Sequence, residues 1–319
     1  MVETVLSALA PVVVTLLLGF VAAWHHDFGA KDASILNRMV LLYAVPVALF
    51  VGTVSTPRGE LVQNVTFAVA MCVAVVGMYT LVFLFFRFAL RFSPGESVLA
   101  ALAASAPAVP FMGPAILGDL FGKASAISIA IAALVINLIV LPVTIFGLEL
   151  GKTTIASTDH PTAHRSGFSE KLLGTFKEPM VWAPLLAFAL VLCDVKIPLV
   201  LDHGLSLLSQ ASGGVAIFAS GIILAGYKIK IDRIVTSLVL LKNVVQPALV
   251  LSGLLWLGYG GPVVAKAVLT TAIPTMPIVI ALAVQYQVSE ARASSALFLS
   301  VVGSIVTTGV FIALTDQVT

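Results

Sequence analysis

Residues 100–118 read AALAASAPAVPFMGPAILG, and residues 268–284 echo them with VLTTAIPTMPIVIALAV. Each run is apolar over the length a helix needs to cross a bilayer, roughly 17–25 residues. Each also carries Pro-x-x-P at its centre: Pro107 and Pro110 in the first, Pro274 and Pro277 in the second. A proline removes a backbone donor and clashes with the carbonyl four residues back, so two within one turn predict a broken helix. Unpaired backbone survives in lipid only where protein buries it or where it lines a watery cavity. Paired breaks at corresponding places in two halves of a chain point to a transporter's binding site.

The surroundings fit a membrane. The 319 residues are 60% hydrophobic and 10% charged, against about 25% charged in soluble domains. This predicts an all-α membrane protein. A net charge of +2 leaves no excess for binding nucleic acid. Apolar runs predict ten spans, near 5–24, 36–54, 61–86, 98–117, 124–148, 179–195, 205–226, 234–258, 263–284 and 291–314. The polar stretch 151–178 separates a first five-helix repeat over 1–150 from a second over 179–319, and serves as a linker between them. Trp24 and Tyr286, at span ends, read as interface anchors.

Basic residues give the orientation. Lys31, Arg38, Arg87, Arg91, Lys152, Arg165, Lys171, Lys177, Lys228, Lys230, Arg233 and Arg292 fall on one side of the ten spans. Only Arg58, Lys123, Lys196 and Lys266 fall on the other. The first side is therefore cytoplasmic, and both termini lie outside the cell. With five spans per half, a second half resembling the first must be inverted. The halves do echo each other: Pro107 and Pro274, Pro110 and Pro277, Asn137 and Ser304, and Pro142 and Gly309 are each 167 positions apart. Pro46-Val-Ala-Leu-Phe50 falls on Gly214-Val-Ala-Ile-Phe218 at an offset of 168, as Pro11 does on Pro179.

The candidate substrate site gathers around the breaks. Breaking a helix exposes N–H groups at the new N-termini, whose partial positive charge favours anions. Ser105, Thr271 and Thr275 lie within about a turn of the prolines; each either offers a hydroxyl to substrate or bonds its own helix carbonyl. Asn137, the one amide of the fifth span, and its counterpart Ser304 either meet substrate or cap a neighbouring break. Lys242, in LVLLKNVVQPALVL with Asn243 and Gln246 beside it, is the one base well inside a span. It either snorkels to the cytoplasmic surface or lures anions into an inward-facing cavity. Gly52, Gly113 and Gly118 are expected to let helices approach closely. His160 and His164 are four apart, but Pro161 spoils the helix that would align them, so no metal site is expected.

These residues also carry a family resemblance. AIPTMPIVIALAVQYQVSEARASSALFLSVVGSIVTTGVFI, over 272–312, resembles the C-terminal signature of the auxin efflux carrier family of transporters. LLYAVPVALFVGTVSTPRGELV, over 41–62, resembles its bacterial malonate-carrier branch. The resemblance implies ten helices in two inverted five-helix repeats, with crossed and broken fourth and ninth helices. It also implies a small carboxylate anion such as malonate as substrate, a homodimer, and the bacterial inner membrane. Where relatives carry an Asn beside each break, this chain has Ala108 and Ile278.

The expectation is a secondary transporter working by alternating access at the crossing, with no cofactor. The alternative is a sodium-coupled organic-acid carrier resembling the bile-acid symporters. A nucleotide-driven pump is excluded by the lack of a phosphate loop ending in Gly-Lys-Ser/Thr. An intramembrane enzyme is disfavoured because all five histidines lie outside the spans. The acids Glu3, Asp27, Asp119, Glu149, Asp194, Asp202, Glu290 and Asp316 all lie at or beyond span ends, so no side-chain proton relay is expected. A co-transported H⁺ would ride on the substrate, or Na⁺ would be held by carbonyls freed at the breaks.

Overall fold

The computed structural model describes residues 2–56, 59, 64–122, 125–159, 175–193, 195, 197–226 and 230–316. Most of the central linker, with His160 and His164, and the basic residues Arg58, Lys123, Arg165, Lys171, Lys196 and Lys228 lie outside the described residues. Among the described residues all regular structure is helical.

The chain runs through α1 (Val2–Trp24) and α2 (Ala30–Met39, continued by Val40–Ala44 and Val45–Val54). Next come α3 (Val65–Leu84 and Phe85–Ala89), α4 (Pro94–Ser105) and α5 (Val109–Phe121). Then α6 (Ser125–Val135, Ile136–Val140 and Leu141–Asp159), α7 (Pro179–Leu192) and α8 (Leu199–Gly226) follow. The chain ends with α9 (Arg233–Leu240, Leu241–Val245 and Gln246–Trp256), α10 (Pro262–Ala272), α11 (Ile278–Tyr286) and α12 (Glu290–Asp316). Six of these helices contain stretches long and apolar enough to cross a membrane: α2, α3, α6, α8, α9 and α12. Both proline-rich runs are interrupted, the first between α4 and α5 and the second between α10 and α11.

Local chemistry sets the helix starts and bends. Ser93 opens α4 with a reciprocal cap: its Oγ accepts from the Glu96 N–H, and Glu96 Oε2 accepts from the Ser93 N–H, both at 3.2 Å. Asp232 caps α9 by accepting from the Val235 N–H at 2.7 Å. Three helices widen into a π turn that ends two residues before a proline: Val40–Ala44 before Pro46, Ile136–Val140 before Pro142, and Leu241–Val245 before Pro247. The proline cannot donate to the turn below it, and its ring crowds that turn's carbonyl. One extra residue per turn relieves the clash without ending the helix.

Packing sorts the helices into two groups. α1 lies along α8, while α7 and α8 both pack on α2. In the other group α4 packs on α3 and α6, α5 on α6, and α10 on α9 and α12. The closest approach in the first group is at Gly19 and Gly221. A Cβ built on either would run into backbone of the facing helix, the Phe218 carbonyl for Gly19 and the Leu16 carbonyl for Gly221. Of the glycines expected to play this role, Gly113 would press on Ile129, but Gly52 and Gly118 face open space. Trp24 is 70% exposed, as an interface anchor would be. Tyr286 is instead buried, with its phenol hydrogen-bonded to Glu149.

Candidate functional site

The two breaks lie against each other. α4 stops at Ser105 and α5 begins at Val109, while α10 stops at Ala272 and α11 begins at Ile278. Between them Pro107 and Thr275 form an antiparallel bridge. The Ala108 N–H donates to the Pro274 carbonyl at 2.9 Å, and the Met276 N–H donates to the Ala106 carbonyl at 3.2 Å. Backbone groups that the prolines release from their own helices are thus satisfied by the other break. This is the internal pairing that backbone excluded from water requires.

The first turn of α5 is closed as well. Val109 N–H donates to Pro107 O, the Phe111 and Met112 N–H groups both donate to Ala108 O, and Pro110 has no N–H to offer. An open anion cradle at this N-terminus, as the broken helix suggests, is therefore not the arrangement observed. Ala106, Ala108 and Ile273 are fully buried and Thr275 is 1% exposed. The crossing is occluded by these backbone pairings and by the side chains around them.

Polar side chains from α9 and α12 frame the crossing. Lys242, on the wide turn of α9, is completely buried, and its Nζ donates to the Thr271 carbonyl at 2.6 Å. It does not snorkel. Its ammonium lies at the C-terminal end of α10, where the helix dipole favours a positive charge. On the same turn Asn243 Nδ2 donates to the Ser300 carbonyl, and Ser300 Oγ donates back to Asn243 Oδ1, both at 2.7 Å. Ser300 Oγ in turn accepts from the Thr275 N–H at 3.1 Å. One helical turn on, Gln246 Nε2 donates to the Ser105 carbonyl at 2.8 Å. Thr308 Oγ1 reaches the Ala272 carbonyl at 3.1 Å. Both breaks are therefore held by α9, and the second also by α12.

Of the residues expected at the site, Pro107, Pro110, Pro274, Pro277, Ser105, Thr271, Thr275 and Lys242 are brought together. Three expected hydroxyls serve their own helices: Ser105 donates to Ala101 O, Thr271 to Ala267 or Val268 O, and Ser304 to Val301 O. Thr275 differs, since its Oγ1 is buried and, among the described residues, has no hydrogen-bond partner. Asn137 is buried on the wide turn of α6, which packs on α3 and α7. Among the described residues no hydrogen bond joins it to the crossing. Ser300 and Thr308 were missed by sequence reasoning. Their spacing with Ser304, one polar residue every fourth position, was the signal that one face of α12 meets something polar.

At one end of the assembly Arg292 gathers charge. Its Nε donates to Asp232 Oδ2 at 3.0 Å, its Nη1 lies 3.9 Å from Glu96 Oε1, and its guanidinium stands over the Phe92 ring. Partial burial works against ionisation of Asp232. The Val235 N–H and Arg292 outweigh it and hold the carboxyl below its usual range. This cluster ties the starts of α4, α9 and α12 together.

Comparison with known proteins agrees with this architecture. A family model described as "Membrane transport protein" matches residues 4–312. The chain is 30% identical over 308 residues to "Uncharacterized transporter YfdV" of Escherichia coli (strain K12), covering 95% of each chain, and equally so to its Shigella flexneri counterpart. It is 27% identical over 297 residues to a Rhizobium meliloti (strain 1021) protein named "Putative malonate transporter", covering 92% of this chain and 90% of that one. A match across nearly the whole chain, on a helical protein with several membrane-spanning segments, places it among transporters and not enzymes: the chain belongs to the membrane transport protein family, that of the auxin efflux carriers.

Proposed function

We propose that this transporter carries small organic anions, dicarboxylates such as malonate, by alternating access at the paired breaks. The observation that carries the reading is the fully buried Lys242, whose amino group lies against the crossing with a carbonyl for a partner and, among the described residues, no carboxylate. A buried charge costs several kcal/mol of desolvation. A ligand of opposite sign offsets that cost, and a carboxylate is the simplest one. The N-termini of α5 and α11 add partial positive charge once their pairings part. The name of the Rhizobium meliloti relative supports malonate as the first substrate to try.

Two inverted five-helix repeats, joined by the linker over 151–178, account for the common offset of the two Pro-x-x-P pairs. Movement of the α1, α2, α7 and α8 group against the rest would open the crossing to one side and then the other. The same reading places both termini outside the inner membrane and leaves room for a homodimer. Sodium coupling is the weaker alternative, since the Thr271 carbonyl that would help hold Na⁺ already accepts from Lys242.

The test is uptake of labelled malonate into proteoliposomes. Wild-type protein is expected to accumulate it against empty-vesicle controls. Pro274→Ala combined with Pro277→Ala restores backbone donors, favours a continuous helix, and should abolish uptake while protein remains in the membrane. Unchanged malonate affinity in that double variant would refute the site.

A further inference from the structure

Away from the crossing, a polar cavity of about 490 Å³ lies between the first part of α2 and the end of α11. Ser34, Asn37 and Arg38 line it from one side, and Gln285 and Gln287 from the other. Its size falls in the range of small-molecule sites, roughly 300–1,000 Å³. α2 belongs to the first helix group, while α11 packs on α12 and α4 of the second and also touches α2 and α8, so the cavity lies at the seam between the groups. Its floor is tied by Asn37, whose Nδ2 donates to the Ala281 carbonyl at 2.9 Å.

The charge balance of this cavity is positive. Arg38 is exposed and, among the described residues, makes no ion pair or hydrogen bond. Nearby carboxylates are engaged elsewhere. Asp32 accepts from the Gly29 N–H at 2.8 Å, while Glu149 and Glu178 stand beside Tyr286 and do not line the cavity. A guanidinium with five donors, flanked by a serine hydroxyl and two amides, has the composition of a carboxylate site.

We propose that this cavity is a second binding site for small carboxylate anions, a station between the cytoplasm and the crossing, with Arg38 as its recognising charge. Its class of ligand and its cytoplasmic side rest on the function proposed above. Anion held there touches both helix groups at once. It can therefore stay at the seam until the Asn37–Ala281 tie breaks and the groups move.

The test uses the full chain with Leu42→Cys, a cavity-lining position outside the proposed donors, and Cys72→Ser and Cys193→Ser to remove the native thiols. Modification rates by an anionic and a cationic methanethiosulfonate are compared with and without malonate. One nearby guanidinium should favour the anionic reagent by about fivefold, and Arg38→Gln should erase that preference. Malonate should protect the cysteine, and protection should survive Arg38→Lys but not Arg38→Gln. Rates and protection indifferent to Arg38→Gln would overturn the proposal. If malonate protects through Arg38 yet is not carried by proteoliposomes, the site stands and the transported substrate is another anion. If malonate is carried and Arg38→Gln leaves protection intact, the site falls and the function stands.

Discussion

Lys242 concentrates the chemistry of the crossing into one atom. An ammonium has three donors, and among the described residues the Thr271 carbonyl is its one hydrogen-bond acceptor. Replacing a buried, under-paired ion by an apolar side chain of similar length is often neutral, or stabilising by about 1–4 kcal/mol. A lysine kept only for the fold would show the reverse. Lys242→Met should therefore leave thermal stability in detergent equal or higher, yet weaken malonate affinity at least tenfold. Lys242→Arg, which keeps the charge, should retain most of that affinity. Undiminished transport by the Met variant would mean that the ammonium serves packing alone.

Among elements, the α1–α8 contact is the least forgiving. At Gly221 an added methyl meets the Leu16 carbonyl and the Phe20 amide, neither of which can rotate away. Overpacking of this kind costs about 1–3 kcal/mol, so Gly221→Ala should lower the thermal midpoint clearly. Gly253→Ala is the control: nothing lies within 4 Å of its built Cβ, and alanine improves helix propensity there. Equal midpoints for the two variants would show that α1 and α8 do not bear on each other as described. The sequence never marked Gly19 or Gly221, because a glycine's neighbour belongs to another helix and leaves no periodic trace. The breaks, in contrast, were legible in full, since Pro107, Pro110, Pro274 and Pro277 act on their own backbone. Their common offset even suggested that the two breaks correspond, although not that each would satisfy the other's hydrogen bonds. Hydroxyls were the hardest to read. Ser105 and Thr271 turn back to their own helices, whereas Ser300 reaches across to Thr275. Composition alone does not separate the two behaviours.

At the scale of the whole molecule, the proposed function raises the question of what would drive a dianion. Each charge moved through the membrane potential is worth about 2.3 kcal/mol per 100 mV. Importing a dianion into a negative cell thus opposes about 4.6 kcal/mol per 100 mV, more than a thousandfold in concentration. Concentrative import needs cations to travel along, whereas export runs on the potential alone. Among the described residues no carboxylate touches the crossing, and the Thr271 carbonyl already accepts from Lys242 Nζ. On the proposed function, sodium would therefore find little left to bind there, and no side-chain proton relay is expected among the described residues. The expected behaviour is anion flux in proteoliposomes that follows the imposed potential and is unmoved by Na⁺ on either side. Any effect of pH should track the fraction of substrate present as monoanion. A Na⁺ gradient that by itself drives uphill malonate uptake would overturn this account of coupling. It would require the crossing to hold Na⁺ in a state where Lys242 has left Thr271.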